Sequence, residues 1–91
     1  MSAPTYISGG YSHQTATAQI ATFGRTVLGI FVASATTATL QVYDSATATT
    51  TTPVTGAVTV SGGVFYPLYA ACGTGIYVVA TGTVDYTVVF A

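Results

Sequence analysis

The last strand-like segment of this chain alternates apolar and polar residues with a period of two. Val84, Tyr86, Val88 and Phe90 fall on one face, and Asp85, Thr87 and Val89 take the other. That period belongs to a strand with one face buried, and the rest of the sequence favours the same state. About one residue in five is threonine, and valine, isoleucine, tyrosine and phenylalanine supply much of the remainder. Such β-branched and aromatic side chains suit a pleated, half-buried surface better than a helix.

Further segments follow the same logic. Thr39–Asp44 places Leu40 and Val42 on one side and Thr39, Gln41 and Tyr43 on the other, and it ends at Asp44-Ser45, a natural turn opener. Thr26–Val32 is a nearly continuous apolar run whose length and β-branched content predict a strand buried on both faces. Val54–Val60, Gly75–Ala80 and Gln14–Ile20 are further candidates, with Ser61-Gly62-Gly63 and Thr81-Gly82 as punctuation. Pro67 interrupts Val64-Phe65-Tyr66, which marks that stretch as an edge strand or a loop crossing a sheet end. Six to eight short strands with frequent turn signals predict an all-β fold, a small antiparallel β-sandwich or jelly roll. The expected organisation is an N-terminal arm over residues 1–13, set off near Ser8-Gly9-Gly10, and one sandwich domain over residues 14–91. The threonine-rich stretch 46–53 reads as a protruding, uncharged loop.

Charge is the second constraint. Arg25, Asp44 and Asp85 are the only charged side chains, and the sequence has no lysine, glutamate, asparagine or tryptophan. An ordinary soluble domain is about a quarter charged. A chain this short also buries only about 60–65% of the surface its unfolded form exposes. Cys72 is a lone cysteine, read as a small buried hydrophobe, so no intramolecular disulfide adds restraint. Oligomerisation is then the expected support, and it agrees with a surface built to be covered.

The same inventory bears on function classes. A zinc site within one chain is not expected from the single histidine, His13, which has no ligand-type neighbours at suitable spacing. Ser12 beside His13 does not make a nucleophile and base, because adjacent strand residues point to opposite faces. Asp44 reads as a turn residue and Asp85 as a solvated strand position, rather than as a catalytic carboxylate pair. Gly73-Thr74-Gly75 leads into a strand, so it reads as a hairpin turn and not as a phosphate loop, which would open a helix. No cofactor or enzymatic activity is expected. With a formal charge of −1 and one arginine, the chain cannot replace phosphate counterions, so nucleic acid is not an expected partner. No window approaches the length of a membrane-spanning helix, and Met1–Tyr6 lacks the basic start and apolar run of a secretory signal, so a cytoplasmic origin is expected.

The candidate functional residues are therefore those of an interface. They are Pro4, Tyr6 and Tyr11 in the arm, Arg25 as the lone cation, and Tyr66 and Tyr69 around Pro67-Leu68. Tyrosine is enriched at protein interfaces. Arg25 is either a solvated strand-end residue or half of an ion pair with Asp44, Asp85 or a partner's carboxylate.

The succession Val27-Leu28-Gly29-Ile30-Phe31-Val32, Ala38–Ala46, Gly75–Val79 and Thr83–Phe90 resembles small structural proteins of tailed bacteriophages, above all capsid decoration, or cement, proteins. The resemblance covers residues 25–90. It implies a β-rich module on the outside of a phage head, made in the host cytoplasm, with the major capsid protein as partner and homotrimers as the favoured assembly. Deleting residues 1–10 would then weaken shell binding and spare the fold. Two other readings stay open: a head-fibre or tail-tip module contacting host glycans through Tyr66, Tyr69 and the threonine loop, and a self-assembling fibre or sheath subunit with few charges to guard its sheet edges.

Overall fold

A computed structural model describes residues 10–91. The chain is all-β, a single antiparallel sheet of six strands: β1 (Gly10–Gln14), β2 (Ala18–Ala21), β3 (Arg25–Tyr43), β4 (Val58–Val60), β5 (Val64–Cys72) and β6 (Ile76–Phe90). The central pair, β3 and β6, runs antiparallel from Val27 opposite Phe90 to Tyr43 opposite Tyr77. β5 and β4 flank successive parts of β3, while β2 and β1 flank successive parts of β6. Each half of the sheet is thus four strands wide, β1-β6-β3-β5 at one end and β2-β6-β3-β4 at the other.

A straight strand of this length would span about 60 Å. The two ends of β3 nevertheless stand beside the same turn. Arg25 pairs with Cys72, and the carboxylate of Asp44 accepts hydrogen bonds from the backbone N–H groups of Gly73 (3.1 Å), Thr74 (2.8 Å) and Gly75 (3.2 Å). The ribbon is therefore doubled over, so that its two halves face each other. The bend lies where β3 and β6 lose register, between Val32 and Ser34 and between Thr36 and Thr39. Thr37 (φ 49°) and Gly82 (φ 73°) take left-handed conformations there. Bulges of this kind bend a strand and increase its twist without ending it.

The alternation read from the sequence sets the inner face. Val27, Ile30 and Val32 come from one half of β3, Leu40 and Val42 from the other, with Ile76, Val78, Val84, Tyr86 and Val88 from β6, all in one buried cluster. Cys72 is buried in it as a small hydrophobe. Tyr86 brings a polar atom inside, and its hydroxyl donates to the Ala16 carbonyl at 2.6 Å.

The structure departs from the sequence reading at several points. Residues 26–32 and 39–43 are parts of one strand, with Asp44 just beyond its end, and 76–80 and 83–90 are parts of another; the residues that looked like terminators are bulges inside them. Gln14–Ile20 is not one strand, since β1 ends at Gln14 and β2 begins at Ala18. Residues 10–13, assigned to the arm, form most of β1 and pair with β6 from Thr87 to Phe90. Residues 1–9 lie outside the described residues. β5 pairs only with β3, the edge placement that Pro67 implied, since proline has no N–H to give a second neighbour.

The threonine loop is exposed yet tethered. Ser45 is buried, and its hydroxyl accepts the N–H groups of Thr47 and Thr49. Gln19 reaches across from β2, accepting the Ala48 N–H while its amide nitrogen donates to carbonyls of Ala21, Ser45 and Ile76.

Candidate interface on the outer sheet face

Cross-strand register fixes which side chains share the outer face of the β1-β6-β3-β5 half, because paired residues project to the same side. One row runs Phe65, Phe31, Thr87 and His13 across four strands; the next runs Pro67, Gly29, Val89 and Tyr11. Phe31 and Phe65 are 43% and 46% exposed, and Tyr11 is 77% exposed. The Phe65 ring lies over Gly29, where any Cβ would collide with it. Glycine at that position lets the Phe65 ring approach the β3 backbone closely.

Charge enters this face at one place. His13 Nε2 and Asp85 Oδ1 are within hydrogen-bond distance, 2.7 Å apart. Asp85 faces outward as its strand position implied, and its partner lies 72 residues away in sequence.

The candidate residues fall in different settings. Tyr11 stands on this outer face. Pro4 and Tyr6 lie outside the described residues. Arg25 makes no ion pair with Asp44 or Asp85. Its Nε donates to the main-chain oxygen of Ala91 at 3.1 Å, and its guanidinium sits 4.7 Å from the Phe90 ring centre and 5.3 Å from that of Phe23. A half-buried cation over two aromatic faces needs no carboxylate to settle it. Tyr66 and Tyr69 do not share a surface. Tyr66 lines a partly open apolar cavity and its hydroxyl accepts the Ser61 N–H at 2.8 Å, whereas Tyr69, with φ at 54°, is 72% exposed. The proposed glycan contact through both rings therefore lacks a common face.

Asp44 is a turn residue, although the turn it serves is a distant one. Three backbone N–H groups in succession form a small anion cradle at Gly73-Thr74-Gly75, and the chain fills it with its own carboxylate. Those hydrogen bonds, led by the one from Thr74, hold the Asp44 carboxyl below its ordinary value against an opposing desolvation effect. Burial, and then the nearby Asp44 charge, pushes the Cys72 thiol up, away from thiolate chemistry.

The sequence reading put Val89 on the outward face with Asp85 and Thr87 but missed Phe31 and Phe65 as surface residues. Thr26–Val32 was expected to be buried on both faces; Val27, Ile30 and Val32 are buried but Phe31 is open, because no second layer covers the outer side of this sheet. The glycine in the middle of the run was the available signal, since it breaks an otherwise packed face. No family model matches the chain, and no curated protein or solved structure matches it either.

Proposed function

We propose that this chain is a virion structural module, a capsid decoration protein that docks on the outer surface of a phage head and stabilises the shell. The observation that supports this reading is the outer face bearing Tyr11, Phe31, Phe65, Pro67 and Val89, four strands wide and interrupted by the single His13–Asp85 contact. Large exposed apolar groups gathered on one face mark an interaction surface. With few charges to strip of water, such a face is covered at small desolvation cost. Many modest contacts repeated over a shell then act together through multivalency. The partner is the major capsid protein, and a homotrimer is the favoured form of the module.

The experiment is quantitative mass spectrometry of purified particles, measuring copies of this chain against the major shell protein. A ratio of one per shell subunit, or a simple fraction of it, is the expected result. A handful of copies would move the protein to a tail or fibre, and absence from particles would overturn the reading.

A further inference from the structure

The doubled-over sheet does not close completely. Between β4, β5 and the bent β3 lies a cavity of about 170 Å³, lined chiefly by Ile30, Leu40, Val42, Val60, Tyr66 and Leu68. Ile30 belongs to one half of β3 and Leu40 and Val42 to the other, so the space lies between the two layers of the sheet. Four of these residues, Ile30, Leu40, Val42 and Val60, are members of the buried core, and the cavity therefore reaches into it. Thr55, Val58 and Pro67 complete the lining.

The chemistry of the lining selects the occupant. No charged residue contributes to it. Its two hydroxyls are already engaged, that of Tyr66 by the Ser61 N–H and that of Thr55 by the Val42 N–H at 3.1 Å, while the Thr55 carbonyl accepts from the Gln41 side chain. Among the described residues no buried side-chain nitrogen or oxygen lacks a hydrogen-bond partner. Water held there would find few polar partners, whereas a buried water needs about three. Enclosed apolar cavities of about 150 Å³ take up benzene or xenon, and this one has similarly apolar walls with a mouth that opens past the exposed Val58 and Pro67. The volume of about 170 Å³ suits a single ring, below the roughly 300 Å³ at which sites for drug-sized ligands begin.

We infer that this cavity is a binding site for a small uncharged apolar molecule, no larger than a single aromatic ring or a short branched alkane. The site meets the outer face only at Pro67; Ile30, Leu40, Val42, Val60, Tyr66 and Leu68, which form most of its wall, are separate from Tyr11, Phe31 and Phe65.

The test is a titration of the isotope-labelled full chain with benzene, followed through the methyl resonances of Ile30, Leu40, Val42, Val60 and Leu68. Saturable shifts confined to these methyls are expected, with a rise in the thermal midpoint as benzene is added. Benzoate, the same ring carrying a charge, should produce neither effect. Val60→Phe, which places a ring in the space, should abolish the benzene shifts; Leu68→Phe serves the same purpose if the first variant does not fold. Absence of saturable shifts with benzene would overturn the inference, as would equal binding of benzoate or shifts centred on Phe31, Phe65 and Tyr11. None of these outcomes depends on copy number in particles, so failure of one proposal leaves the other standing.

Discussion

Asp44 is the charged side chain that most directly holds distant parts of the fold together. Its carboxylate gathers three N–H donors from a turn that begins beside Arg25, and so ties together the two ends of β3. Asp44→Ala should cost about 1 kcal/mol or somewhat more, because it strands donors that were paired with a charge; urea denaturation measures it. The pH dependence has a definite sign. The folded state holds this carboxyl below its ordinary value of 3.8, so the stabilisation is complete above about that pH and fades as the pH falls through the folded value. Stability should therefore fall less steeply with acid in Asp44→Ala than in wild type, which urea denaturation at several pH values measures. Tyr86 has the opposite sense. Burial pushes its phenol up to about 12, so the fold favours the protonated form, and that contribution is intact below pH 10.0 and is lost as the pH rises towards 12. A spectrophotometric titration should show a late phenol step, and Tyr86→Phe should remove that step at a cost of about 1 kcal/mol for the bond to Ala16.

At the scale of the elements, the bend in the β3–β6 ribbon is the decisive feature. Gly82 has a positive φ, and a Cβ there would strike the Thr37 carbonyl and approach the Ala38 Cα at 3.0 Å. Gly82→Ala should therefore cost about 3 kcal/mol, since it combines backbone strain with a clash against main chain. Gly63 has nearly the same φ but open space around it, and Gly63→Ala should cost only the strain, about 1 kcal/mol. Comparing the two by thermal unfolding separates conformation from collision. The strands themselves were legible because a period of two survives in Leu40-Gln41-Val42 and in Val84–Phe90. Their continuity was not, since Ser34, Thr36, Thr37 and Thr81-Gly82 have the composition of turns and only the cross-strand partner shows that pairing resumes beyond them. β1 was hidden for another reason. Gly10–Gln14 is a polar edge strand with no buried position, so its pairing with β6 leaves no hydrophobic trace.

For the molecule as a whole, the uncovered aromatic face is what an assembly role would use. Phe31→Ser combined with Phe65→Ser should lower occupancy of particles by about tenfold or more, because truncating a central aromatic anchor typically costs about 2 kcal/mol of binding. The circular dichroism of the isolated protein should keep its β-sheet form, since both rings lie outside the buried cluster. The candidate site was only partly readable beforehand. Charge scarcity announced a surface to be covered, and Tyr11 was named, but Phe31, Phe65 and Val89 come together solely through the register of β1, β6, β3 and β5. The same holds for His13 and Asp85, whose distance along the chain gave no local signal.

β6 pairs with β1, β2 and β3, yet it follows all of them in the sequence. During synthesis the ribosome must deliver nearly the whole chain before the first three strands have their common neighbour. Until residue 90 emerges, their apolar faces and open edges are exposed to other chains. Such long-range pairing makes folding slow and exposes it to aggregation, so the yield of native protein should depend on how long nascent chains wait at high density.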